Sequence, residues 1–134
     1  MLDDESMIAS ILLERIGATN EALIELAQDI RSRPEVSQVV RSLDVRKYKT
    51  GPVLEAYVDV ETYRAKAFCW WLEVRWDETQ WIVEYSVRSH HQYGQDVVIE
   101  FPERVSKSLE EFLGNLEHAT QDLVVSAKMF NFSK

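Results

Sequence analysis

Between Leu54 and Ser89 the chain alternates. Leu54, Ala56, Val58, Val60 and Thr62 are interleaved with Glu55, Tyr57, Asp59 and Glu61. Phe68, Trp70, Leu72, Val74 and Trp76 are interleaved with Cys69, Trp71, Glu73 and Arg75, and Trp81, Val83, Tyr85 and Val87 with Ile82, Glu84, Ser86 and Arg88. A period of two over three successive segments means strands with one buried face. The connections at 63–66 and 77–80 are short, so the strands form an antiparallel meander. Two weaker segments extend it. One is 43–49, before the turn signal Thr50-Gly51-Pro52; the other is Val97–Phe101, after the polar stretch Ser89–Asp96.

The flanks carry a helical period instead. Ile8, Leu12, Ile16, Leu23, Leu26 and Ile30 recur at helical spacing, with Thr19 filling the gap. They predict a helix over 4–32, capped by Asp3 or Asp4 and ended near Arg33 by Pro34. Gly17 and the Ala-Thr-Asn after it are a place for a kink. Pro34–Arg41 reads as one or two further helical turns. Pro102 suits a first helical position, and Val105, Leu109, Phe112, Leu116, Ala119, Leu123 and Ala127 carry that second helix to about residue 128. The order is helix, four or five strands, helix. It predicts one α+β domain over 1–134, in two layers, with both helices on the apolar face of the sheet.

Composition narrows the function. A chain of 134 residues buries enough surface to fold without a metal or disulfide. Its one cysteine, Cys69, has no internal partner, which fits a reducing compartment. The start MLDDESM lacks the basic region of a signal peptide. No apolar run approaches the ~20 residues of a membrane helix. The expectation is a cytoplasmic protein with no membrane partner. A net charge of −8 argues against nucleic acid as partner. The exception is 31–49, where Arg31, Arg33, Arg41, Arg46, Lys47 and Lys49 outnumber Glu35 and Asp44. We read it as basic residues paired with acidic neighbours.

Candidate chemistry is sparse. His90 and His91 fall in a polar stretch that reads as a loop; on a strand, adjacent residues would point to opposite faces, so with Asp96 they make a weak metal set. His118 and Asp122 stand one helical turn apart at the edge of an apolar stripe. Cys69 falls beside Arg88, with no histidine placed near it. The four glycines are scattered and form no phosphate loop. No cofactor is implied, and catalysis is disfavoured.

The outer sheet face is the better candidate. Trp70, Trp76 and Trp81 share the inner face and read as core; Trp71 has the opposite parity. Pairing Trp76 with Trp81 sets Arg75 against Ile82, Glu73 against Glu84, Trp71 against Ser86 and Cys69 against Arg88. The preceding hairpin is expected to place Asp59 beside Trp71, Tyr57 beside Glu73 and Glu55 beside Arg75. Tyr57, Trp71 and Ile82 then form a centre ringed by Glu55, Asp59, Glu73 and Glu84, the pattern of a binding hot spot. The competing expectation is that the Met129–Phe132 tail or a second subunit covers Trp71. Surplus apolar helix positions, Leu13, Ile24, Val124 and Val125, favour a homodimer.

The expected function is a small acidic cytoplasmic module that masks a basic or amphipathic protein. Toxin-neutralising immunity proteins and secretion chaperones share this size and charge. Type III secretion chaperones usually carry a helix between strands, which 63–66 has no room for, so the immunity-like version is preferred. The alternative is a small-ligand binder or enzyme with a pocket between sheet and helices near His90–Asp96.

Overall fold

The computed structural model describes residues 4–45 and 52–133. Its elements are α1 (Asp4–Arg31), β1 (Val36–Val45), β2 (Pro52–Thr62), β3 (Ala67–Trp76), β4 (Trp81–His91), β5 (Gly94–Glu100), β6 (Arg104–Ser106) and α2 (Leu109–Met129). The strands form one antiparallel sheet in the order β1-β2-β3-β4-β5, and β6 pairs with the start of β4. Both helices lie on one face, α1 over β1 and α2 over β4 and β6. This is the two-layer α+β architecture that the alternation predicts. No helix among the described residues is long and apolar enough to cross a membrane.

The inner face carries the expected side chains. Val58, Trp70, Leu72, Val83 and Val87 are fully buried, against Leu23 and Ile30 of α1 and Leu116 and Leu123 of α2. Where the helices cross, Thr120 donates its hydroxyl hydrogen to Leu116 O (2.7 Å). Thr19, 3.5 Å away, is therefore the donor of the Thr19–Thr120 contact. Both buried hydroxyls are thus satisfied.

Several elements differ from expectation, each for a physical reason. Pro34–Arg41 holds no helical turn. Val36–Val45 is an edge strand, and an extra residue between Val36 and Gln38 shifts its register. That bulge leaves the buried valines, Val36 and Val39, three apart. A bulged strand here imitates a helical step. Of the expected strand 43–49, residues 46–49 lie outside the described part, as does most of the Thr50-Gly51-Pro52 turn. Ser89–Asp96 is no irregular stretch: β4 runs to His91 and β5 returns from Gly94, whose φ is +134°.

Pro102 does not open the second helix. Residues 104–106 pair with Trp81–Val83, and α2 begins only at Leu109. Its N-cap is Ser108, whose hydroxyl accepts from Glu111 N (3.2 Å). Ser108 and Glu111 stand at capping-box spacing, and this is a better start than a proline alone. Val105 is accordingly exposed, off the helical stripe.

The tryptophans divide differently too. Trp70 is fully buried, and its Nε1 donates to Ser126 Oγ on α2 (3.0 Å). Trp81 is half-buried and stacks on Phe112 (4.6 Å). Trp76, the last residue of β3, is 39% exposed and leans on Trp81 (4.8 Å). It lies at the hairpin end and is not core.

The tail is part of the inner layer. Phe132 is buried, and Phe130 meets Phe68 and Trp70 edge-on at 4.9 and 5.1 Å. Arg33 fixes it by donating to the carbonyls of Phe130, Ala127 and Lys128 and lying over the Phe132 ring. A cation at a helix C-terminus is favoured by the dipole as well. The tail therefore sits on the face opposite Trp71 and does not cover it.

Candidate functional site

The outer face of the sheet is built from register. In the β3–β4 hairpin, Trp76 faces Trp81, Arg75 faces Ile82, Glu73 faces Glu84, Trp71 faces Ser86 and Cys69 faces Arg88, as expected. The β2–β3 hairpin is shifted by two residues from expectation. Tyr57 faces Trp71, Glu55 faces Glu73, and Asp59 faces Cys69. The reason lies in the turn. Thr62 N donates to Lys66 O, so the loop is only Tyr63-Arg64-Ala65, with Ala65 left-handed at φ +61°. A three-residue loop closed by a left-handed residue is a standard hairpin solution, usually with glycine there.

The shift keeps every residue on its face but changes its neighbours. Tyr57 and Trp71 now adjoin directly, both half-buried. The guanidinium of Arg88 lies over the Trp71 ring, 4.3 Å from its centroid, while its Nε donates to Ser86 Oγ (3.0 Å). Trp71 is therefore half-covered from within the sheet. Ile82 is only 8% exposed and offers a partner little surface.

One row of this face is acidic across four strands. Asp44 pairs with Glu55, Glu55 with Glu73, and Glu73 with Glu84. Like charges directly opposite destabilise a sheet. Arg75 answers part of this through a close ion pair with Glu84. The Glu73 carboxyl is still held above its ordinary range, first by burial, with the neighbouring carboxylates Glu84 and Glu55 adding to it against Arg75 and Arg88.

A second group sits at the other end of the same face. Asp59 on β2, Cys69 on β3 and His90 on β4 bring a carboxylate oxygen, the thiol sulfur and a ring nitrogen within 4.8 Å of one another. By sequence alone Asp59 is expected two residues away, with no histidine near Cys69. The pairing Asp59–Cys69 and the extension of β4 through His90 create the group. Cys69 is buried, and burial together with its hydrogen bond to Asp59 pushes the thiol far up. Left to itself this sulfur is a neutral thiol, the opposite of an activated nucleophile. His90 receives Gln95 Nε2 at Nδ1 (3.2 Å), while its Nε2 is buried without a hydrogen-bond partner.

Other candidates are used structurally. His91 turns to the opposite face and pairs with Asp96 (3.0 Å). Asp122 accepts from Tyr85 Oη (2.6 Å) and pairs with Arg104; His118 is exposed. Of the basic stretch 31–49, Arg31 donates to Val39 O, Arg33 holds the tail, and Arg41 donates to Asn20. Arg46, Lys47 and Lys49 lie outside the described residues. No family model, curated protein or solved structure matches this chain.

Proposed function

We propose that this chain is an acidic protein-interaction module whose outer sheet face masks a basic or amphipathic protein partner. The observation that carries the reading is the row Asp44–Glu55–Glu73–Glu84, beside the Tyr57–Trp71 pair. The row costs the free protein stability, and one arginine, Arg75, offsets it only in part. A cationic partner would relieve it. The aromatic pair supplies the apolar centre that hot spots use. Trp71 already holds a guanidinium, that of Arg88, which is the chemistry a basic partner brings. Immunity-like or chaperone-like masking in a reducing, cytoplasmic setting fits this surface and the lone, buried Cys69. The small-ligand alternative moves from a pocket between sheet and helices near His90–Asp96 to the outer face, where Asp59, Cys69 and His90 meet.

Self-association is the companion proposal. Val125 and Met129 of α2 are exposed beside Ile99 and Phe101, and Leu13 is exposed on α1. A homodimer would bury such surface.

The test is affinity capture from the native cell followed by titration calorimetry. The wild type should retain a protein that is basic or carries a basic amphipathic segment. Trp71→Ala should weaken binding by ~2 kcal/mol, about 30-fold, the level of a hot spot. Lysine at Glu55 or Glu84 should slow association and flatten its salt dependence. A partner bound equally well by the Trp71→Ala variant and by the lysine variants would exclude this face.

A further inference from the structure

The geometry points to a divalent transition-metal site of the zinc class at Asp59, Cys69 and His90, with the fourth coordination position open to solvent. The proposal is independent of the partner-binding reading, although Asp59 lies on the same sheet face.

Three observations carry it. The donor set is one carboxylate, one sulfur and one imidazole, all within 4.8 Å of each other. Those are the three donor types that zinc takes from proteins. Around a tetrahedral zinc with bonds of about 2.0–2.3 Å, ligand atoms stand roughly 3.5 Å apart, so side-chain rotations of about an ångström close the set. The backbone supports this: Asp59 and Cys69 are directly paired across β2 and β3, and His90 pairs with Ala67, two residues from Cys69 along β3. An imidazole has the reach for that diagonal.

The second observation is the unused nitrogen. Buried polar atoms without a partner are rare and call for an explanation. His90 Nε2 is such an atom. Its other nitrogen is held by Gln95, the outer contact that orients a metal-bound histidine. Coordination through Nε2 requires the proton on Nδ1, so the Gln95 amide turns its oxygen to that nitrogen when metal binds. This gives up the long 3.3 Å contact from Arg88 Nη1.

The third observation is access and charge. A depression of about 390 Å³ is lined by Asp59 and His90, together with Gln38, Val40 and Glu61 among others, while Cys69 is buried. Arg88, opposite Cys69 across β3 and β4, spends its guanidinium over the Trp71 ring and on Ser86 and Gln95. Three protein ligands and an open position are the arrangement of zinc sites that bind a water or a substrate. A bound metal would displace the thiol proton, converting the Cys69–Asp59 hydrogen bond into two metal–ligand bonds.

The test is cobalt titration of the full chain, stripped with chelator and kept reduced. Tetrahedral cobalt should give a thiolate-to-metal charge-transfer band that saturates at one equivalent per chain and is abolished by zinc. Cys69→Ser should remove the band and weaken zinc, measured against a chromophoric chelator, by at least ~100-fold, beyond the usual effect of losing one outer contact. His90→Ala and Asp59→Asn should weaken zinc as well. His91→Ala and His118→Ala should bind as wild type does. Zinc should raise the melting temperature of the wild type and not of Cys69→Ser. Folded wild type with no charge-transfer band would overturn the proposal. So would zinc affinity that survives in both Cys69→Ser and His90→Ala. Asp59→Asn, at a half-exposed position, keeps the test open should either of the other variants fail to fold.

Discussion

Trp70 and Trp71 are neighbours in sequence, yet their alanine variants should differ by about 3 kcal/mol. The buried indole of Trp70 loses its whole transfer energy on truncation, and Trp→Ala changes of this kind cost about 3–5 kcal/mol. Its ring also meets Phe130 and Phe132 at 5.1 and 5.9 Å, and such pairs contribute about 0.5–1.5 kcal/mol beyond their area. Ser126 keeps its own bond to Leu123 O (2.7 Å), so its hydroxyl is not stranded. The sum lies near the upper end, about 4–5 kcal/mol. Trp71 is half-buried and carries Arg88 on its ring. Truncation there loses a cation–π contact of about 0.5–1 kcal/mol and part of one side chain's burial, together about 1–2 kcal/mol. At about 3–4 °C per kcal/mol for a chain of this size, Trp70→Ala should melt roughly 12–20 °C lower and Trp71→Ala about 3–8 °C lower. Urea melts followed by far-ultraviolet circular dichroism read both. A loss under about 1 kcal/mol for Trp70→Ala, or equal losses for the two, would refute the assignment of faces.

Two further outcomes follow from the surface. Glu73 has a raised carboxyl, so the folded state holds more protons than the unfolded chain between the ordinary value of 4.5 and the folded one, and stability falls as pH rises through that window. Glu73→Gln should therefore melt higher than wild type at pH 7 and lose that advantage below pH 4.5; a lower melt at pH 7 would show that Glu73 stabilises the free protein. For assembly, sedimentation equilibrium should find a dimer at micromolar concentration, shifted toward monomer by Val125→Asp with Met129→Lys, whereas a pure monomer of wild type at ~100 micromolar would exclude it.

The helix and strand types were legible wherever burial enforces a period. Val58, Trp70 and Val83 have one face to fill, and nothing else in the chain competes for it. The element types are hidden where a local device breaks the period. The bulge after Val36 spaces two buried valines like a helix. Pro102 offers a helix start that the Ser108 cap outbids, because residues 104–106 complete the open edge of β4. Trp76 keeps the parity of the core but lies at the hairpin end. Parity says which side a residue takes, and only the length of the layer above says whether it is covered.

The site turned on a smaller matter, the length of one hairpin loop. Moving the β2–β3 register by two residues leaves every side chain on its own face, because the period of a strand is two. The outer face therefore keeps its membership while each β2–β3 contact in it changes. Asp59 leaves Trp71 for Cys69, Tyr57 takes the place beside Trp71, and Glu55 completes an unbroken acidic row. The signal for this register was weak in sequence: Ala65 holds the left-handed position of the loop, where glycine is expected. The meeting of His90 with Cys69 is hidden in the sequence for a related reason. Polar residues from Ser89 onward read as a loop, although on an outer face a strand gains nothing from being apolar, and β4 simply continues. Both candidate sites on this face, the acidic row with its aromatic pair and the Asp59–Cys69–His90 group, are thus products of register. Two residues inserted into the Tyr63–Ala65 loop that slid β2 against β3 by two would dissolve both while leaving the inner face packed with the same side chains.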